Sequence, residues 1–381
     1  MKQYRVKLRN LFEDEKTGIL ARVAELSVNG KSVDRLVKVS NQNIDLRSDV
    51  ELRPINEVVL PLKFSYIQEM DRDNEKRDHF IKLVLSKTRI GKINIPFIML
   101  EYPKLPTAKE MNEALTFLVD IIYNNERIDL LVPPKVMLPE TVKDRAPDSF
   151  QRLLENLYQR HLNTLSELIE TYARNVRPAC FIPAYISRSK ISKTIESHAN
   201  LFGPEALVIL DVAGTRFEGG AYSVVSQTIF NIKTIAKEED YAIYLFNHKS
   251  RKRSGKEAPS EDLLSLLQGV SFVGPLHAKL KLPKNVASGL GKVFNDSDFL
   301  YYPADAAPNR FELQKFSGGI IKSTTLNRFN DFVVNLCTID LSKDPVTRVS
   351  ELKRPEFKEA LCKVSKQMIK VQEQKGIEDF F

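Results

Sequence analysis

Asp211 breaks the apolar run Val208-Ile209-Leu210-Asp211-Val212-Ala213 and is followed by Gly214 and by Gly219-Gly220. A carboxylate at the end of an apolar strand, with glycines that let a ligand approach the backbone, suits a nucleophile or general base. The same residue type also caps helices and pairs with buried arginines, so both readings stand. His248 follows the run 243–246, and His277 follows 272–274. If neighbouring strand ends converge, these histidines and Asp211 form a catalytic set for proton transfer. Two histidines and one aspartate are too few to specify a metal, and none is expected.

Other polar residues stand in the same kind of place. Lys135 follows 130–132, and Tyr185 and Arg188 follow Phe181-Ile182. Between His248 and Lys256 the chain holds Lys249, Arg251, Lys252, Arg253 and Lys256 among serine and glycine. Such a cationic loop suits phosphate contacts, and with Arg188 and Lys279 it makes the expected nucleic-acid-binding set. A merely solvated loop has the same composition.

Those positions matter only if the elements around them bring strand ends together. From Ile93 the chain alternates strand-sized apolar runs (95–102, 129–133, 179–184, 206–213, 241–247, 270–274, 299–302) with amphipathic stretches (109–123, 150–172, 189–198, 221–236, 260–267). That alternation is the sequence form of βα units and a parallel sheet. A fold class of α/β follows, with a (β/α)8-type barrel expected ahead of an open doubly wound sheet. In a barrel, working residues lie at the C-terminal ends of strands, where the residues above fall.

The N-terminal part reads differently. Alternating segments at 19–26 and 33–39 meet at Asn29-Gly30, a strong hairpin signal. The charge-dense stretch 71–78 reads as an exposed loop or helix end. The expected organisation is a β-rich region over 1–92, a barrel over 93–310, an α-rich region over 311–373 and a tail over 374–381. Within the third region, 355–373 carries Phe357, Leu361, Val364, Met368 and Val371 at helical spacing with lysines opposite.

Composition narrows the function classes. Hydrophobic residues make up 43% and charged residues 28% of 381, as in globular proteins, and the formal charge of +8 favours polyanionic partners. No apolar run approaches the roughly 20 residues that span a bilayer, and Met1 to Lys7 lacks the apolar core of a secretory signal. A cytoplasmic, nucleoid-associated location is expected. Cys180, Cys337 and Cys362 lie far apart and form no disulfide framework or zinc motif. Phosphate-loop, dinucleotide and Gly-x-Ser-x-Gly motifs are missing, so the sequence names no cofactor.

The chain ends Gln374-Lys375-Gly376-Ile377-Glu378-Asp379-Phe380-Phe381. Residues three apart share one side of a 3₁₀ turn, so Ile377 and Phe380 would form a single apolar knob. The segment resembles the box by which replication and repair proteins dock on the ring-shaped sliding clamp (PCNA), at Gln374, Ile377, Phe380 and Phe381. Its place at the extreme C-terminus resembles the archaeal pattern. The resemblance implies the clamp as partner and DNA as the working surface. Two consecutive phenylalanines folded back on the chain's own core would be the alternative.

The body has a fainter likeness. Ala21-Arg22-Val23-Ala24-Glu25-Leu26 through Asn29-Gly30-Lys31, and 240–245 followed by Pro259-Ser260-Glu261-Asp262, resemble parts of the tRNA-guanine transglycosylases. That likeness implies a (β/α)8 barrel and base exchange through an aspartate. Where that family has its nucleophilic aspartate this chain has Val273-Gly274-Pro275-Leu276-His277, and the family's zinc cysteines are missing. The expected function is therefore a clamp-recruited protein of DNA replication, repair or base modification, with Asp211 in acid–base or nucleophilic work. A non-catalytic clamp-binding scaffold and a clamp-tethered nuclease are the alternatives.

Overall fold

The N-terminal hairpin forms where Asn29-Gly30 permits it. Tyr4–Asp14 (β1), Ile19–Val28 (β2) and Lys31–Val33 (β3) make an antiparallel sheet, and the turn residues have φ of 50° and 74°. Asparagine and glycine enter that left-handed region at least cost. The third strand stops at Val33, and Val37–Lys38 (β4) leaves the hairpin to join a parallel sheet. The computed structural model describes residues 4–14, 19–39, 53–139, 147–172, 177–203, 206–213, 224–225, 228–229, 232, 240–248, 258–259, 261–266, 268–277, 292–295, 300–303 and 327–331.

In chain order the later strands are Ile55–Lys63 (β5), Ile93–Glu101 (β6), Lys135–Met137 (β7), Cys180–Ile182 (β8), Ala206–Asp211 (β9), Tyr241–Phe246 (β10), Ala258–Pro259 (β11), Phe272–Val273 (β12), Lys292–Asn295 (β13) and Leu300–Pro303 (β14). One parallel sheet has the order β5-β6-β7, and a second has the order β4-β12-β10-β9-β8. Parallel pairing thus starts at Val37, earlier than the pattern placed it. Residues 129–132 run between the two sheets: Asp129 N–H donates to Asn94 O (3.0 Å), and Ala179 N–H donates to Leu131 O (2.8 Å). The expected strand at 129–133 survives as a parallel bridge from Leu131 to Pro178. Pro133, Pro134 and Pro178 lack the amide hydrogens that a longer ladder needs. The stretch at 299–302 does form a strand, but β14 pairs antiparallel with β11 and β13 and lies outside the parallel series.

Helices connect the strands: Phe64–Arg72 (α1), Asn74–Lys87 (α2), Ala108–Phe117 (α3), Pro147–Tyr172 (α4), Ile191–Phe202 (α5) and Glu261–Leu266 (α6). The charged stretch at 71–78 is a helix junction, where Asp73 caps α2 by accepting from the Glu75 and Lys76 amides. Thr107 and Glu110 close a capping box on α3, which continues into a π-helical turn over Leu118–Tyr123. The amphipathic stretch at 221–236 lies almost wholly outside the described residues, and 311–326 and 332–381 lie outside them entirely, including the expected helix at 355–373.

Alternation along the strands divides the core. Val58, Leu60 and Leu62 pack with the helices α1 to α4, while Ile55 and Val59 face a second cluster. That second cluster draws Val37, Phe97, Val132, Phe181, Ile209, Tyr244 and Phe272 from both parallel sheets. Both strand faces are buried, as in parallel sheets covered by crossover helices.

The antiparallel sheet covers one end of these strands. Tyr4 O–H donates to Pro178 O (3.2 Å), Leu8 N–H donates to Asp240 Oδ1 (2.8 Å), and Arg22 Nε donates to Tyr241 O (3.0 Å). Lys31 pairs with buried Asp129 at 2.7 Å. Residues 129, 178, 240 and 241 all stand at the starts of parallel segments, so the hairpin caps their N-terminal ends. The opposite, C-terminal ends carry the candidate chemistry.

Candidate active site

Asp211 is the last residue of β9, and Lys135 the first of β7. The Lys135 Nζ lies 2.5 Å from Asp211 Oδ2, while Oδ1 accepts from the Ala213 amide at 2.8 Å. Asp211 keeps no exposed side-chain surface, and Lys135 keeps 20%. Lys135 is therefore the partner in the pair that keeps surface open to solvent. The Tyr185 hydroxyl is buried nearby; burial, with the Asp211 charge adding, pushes its pKa well up, so it stays protonated.

A second pair stands beside the first. Glu57, the third residue of β5, has no exposed side chain, and its Oε2 meets the His277 Nε2. Tyr244 O–H donates to Glu57 Oε1 at 2.5 Å. Burial raises the Glu57 pKa, against the opposing pull of His277 and Tyr244. The His277 ring stacks on Phe246 (5.2 Å between centroids), and Phe246 stacks on Phe97 (3.9 Å). Phe246 is the register partner of Asp211, and Phe97 lies two residues before Met99, the partner of Lys135. The aromatic stack thus joins the Glu57–His277 pair to the Lys135–Asp211 pair.

Of the three residues read as catalytic, Asp211 and His277 share this end of the strands, and His248 belongs to a different network. His248 Nδ1 lies 3.2 Å from Asp262 Oδ1, whose other oxygen pairs with Lys38 and accepts from Tyr301 O–H at 3.0 Å. Lys38 also donates to the Tyr301 hydroxyl at 2.8 Å, and its backbone is clasped by the Asn330 amide at 2.9 Å in each direction. Burial alone would raise the Asp262 pKa, but the Lys38 charge and the contacts of His248 outweigh it, and the carboxyl stays well below the usual range. This cluster ties β4 to α6 and β14. The His248 side chain is held there, 1% exposed.

Arg188 is exposed on a single 3₁₀ turn, Arg188–Lys190, which α4 anchors: Lys190 pairs with Glu155 at 2.5 Å and Ser187 N–H donates to Glu155 at 2.8 Å. Lys249, Arg251, Lys252, Arg253, Lys256 and Lys279, and the tail residues Gln374, Ile377, Phe380 and Phe381, lie outside the described residues. Among the described residues no group of three or more His, Cys, Asp or Glu side chains could hold a metal ion, and no helix is long and apolar enough to cross a membrane.

Glu57, Tyr244 and Gly274 were not singled out from sequence. Glu57 sits inside the run Ile55-Asn56-Glu57-Val58-Val59-Leu60, and an ionisable residue in an apolar strand is the signal that would have found it.

No family model matches the chain, and no curated protein does. Among solved structures, the chain is similar to a mandelate racemase/muconate lactonizing enzyme from Jannaschia sp. CCS1, at 9% identity and a TM-score of 0.26 over 72% of this chain. The match spans 62% of that enzyme's length.

Proposed function

We propose that the chain is a sliding-clamp-recruited enzyme of base exchange or base modification on DNA, built on a (β/α)8-type barrel. The observation that carries the enzymatic part is that Lys135 and Glu57, from one sheet, pair with Asp211 and His277 at the C-terminal ends of β9 and β12 in the other. Two titratable pairs in one place are costly to bury and are characteristic of sites that move protons. Asp211 orients Lys135, Lys135 neutralises a phosphate or a developing anion, and His277 exchanges a proton with the reacting base.

Barrel closure is supported by the shared interior cluster, by β7 continuing the 129–132 segment along β6, and by Gly274 lying against Glu57. DNA association and clamp recruitment rest on the sequence: the cationic stretch 249–256 and the four-position match of the last eight residues. The tether would raise the local concentration on DNA without strong intrinsic affinity.

The test is mass spectrometry of nucleosides from duplex and single-stranded DNA incubated with the chain, with labelled free guanine present. Lys135→Met and His277→Asn are expected to abolish a modification that wild type produces. A product made equally by both variants would remove these pairs from the mechanism, and no product with any DNA would favour a clamp-bound scaffold.

A further inference from the structure

The geometry points to Glu57 as the residue that positions His277, by accepting its Nε2–H and so leaving Nδ1 as the atom that exchanges protons at the strand ends. This inference rests on the proposed acid–base site but concerns an atom of the ring rather than a reaction. Glu57 is fixed from three sides. Tyr244 O–H occupies Oε1 at 2.5 Å, and the tyrosine stays protonated because burial and the adjacent carboxyl push its pKa well up. Oε2 is then the oxygen that faces the imidazole. Gly274 leaves the room: a Cβ there would fall 2.8 Å from Leu245 O and closer still to Glu57 Oε1.

His277 is held in turn. Its amide donates to Asn247 Oδ1 at 3.0 Å, with Asn247 at φ 60°, and its ring lies on Phe246 at an interplanar angle of 25°. The ring therefore cannot turn without losing both the carboxylate and the stack. Among the described residues Nδ1 makes no hydrogen bond, whereas Nε2 is engaged. A carboxylate that fixes one imidazole nitrogen sets the tautomer and makes the other nitrogen a better base.

Nitrogen NMR of the full chain labelled at its five histidines, recorded at alkaline pH where imidazoles are neutral, tests this without any substrate. His277→Asn identifies the resonance. In wild type, Nε2 is expected to carry the proton and Nδ1 to be unprotonated. Glu57→Gln is expected to shift the His277 pair of signals toward mixed tautomers while the other four histidines keep theirs. Wild-type protonation on Nδ1 would overturn the inference even if Glu57→Gln failed to fold, and so would signals unmoved by that change. Loss of DNA modification with the expected spectrum intact would instead count against the proposed reaction.

Discussion

The Lys135 ammonium and the Asp211 carboxylate meet at 2.5 Å although β7 and β9 belong to different sheets. The pair therefore links the start of β7 to the C-terminal end of β9, and Asp211 keeps no exposed side-chain surface. Lys135→Met strands a buried charge, and a loss of about 3 kcal/mol is expected in urea unfolding. The double change Lys135→Met/Asp211→Asn should recover much of that loss. A single change that costs nothing would mean that the pair does not stabilise the fold.

The Lys38–Asp262 pair sets an acid limit. Asp262 has a depressed folded pKa, so its stabilisation is fully present above the ordinary aspartate value of about 3.9 and is lost as pH falls below it toward the folded value. Lys38 is the mirror case: desolvation would lower its pKa, but the charges and hydrogen bonds of Asp262 and Tyr301 together outweigh it, so its contribution persists below about 10.4 and is lost only at more alkaline pH. Asp262→Asn is expected to cost about 3 kcal/mol at neutral pH, with the gap to wild type closing in acid. A gap that widens as pH falls below 4 would refute the pairing.

Asp211 stands out in the sequence because it ends an apolar run, and the structure pairs it with Lys135 rather than with an arginine. Asn29-Gly30 was readable because few residue pairs tolerate two positive φ angles. Glu57 was not, because its partners Tyr244 and His277 lie 187 and 220 residues away and parallel strands buried on both faces show no alternation to violate. Its strand was also obscured by α2, in which Phe80 and Val84 are the buried residues, so the first βα unit has the look of a charged linker. Strand existence at 299–302 was legible, but its direction was not: pairing is decided by the sheet, not by the strand's own residues. His248 and His277 look alike in sequence, each following an apolar strand, and the Lys38–Asp262 pair draws one away from the site.

His161 on α4 gives a second, separate pH effect. Its Nδ1–H donates to Leu157 O (2.8 Å), its Nε2 accepts from Tyr102 O–H (2.9 Å), and burial brings its pKa down to about 4. The unfolded chain takes up that proton near 6.5, so stability from keeping this ring neutral is full above that pH and is lost as pH falls toward 4. The expected contribution is about 3 kcal/mol across the window. His161→Phe should flatten the wild-type decline between those values in denaturant titrations; an unchanged slope would place the decline elsewhere.

Gly274→Ala tests the clearance behind Glu57. The new methyl would press on a backbone oxygen at 2.8 Å, on Tyr244 Cε1 at 3.2 Å and on the Glu57 carboxyl, none of which can move without breaking a buried hydrogen bond. Overpacking of this kind costs about 1–3 kcal/mol. The change is expected to destabilise the fold and to displace the His277 resonances, whereas Gly30→Ala, with open space around it, should cost stability through its φ of 74° alone and leave His277 unmoved. Equal effects on His277 from both glycines would show that general loosening, not the Glu57 contact, moves that ring.

The proposed clamp-docking segment at 374–381 makes a prediction independent of the strand-end pairs. If Ile377 and Phe380 form the apolar knob, Phe380→Ala/Phe381→Ala removes most of the surface that a clamp pocket would cover, and binding to a purified archaeal-type clamp should fall by at least about tenfold, 1.4 kcal/mol, in calorimetry. The same double change should leave the unfolding midpoint of the isolated chain unaltered, because side chains that dock on a partner contribute nothing to the free fold. A lowered midpoint with no clamp binding by wild type would instead assign both phenylalanines to the chain's own core, and the strand-end pairs would then have to find their substrate without a tether.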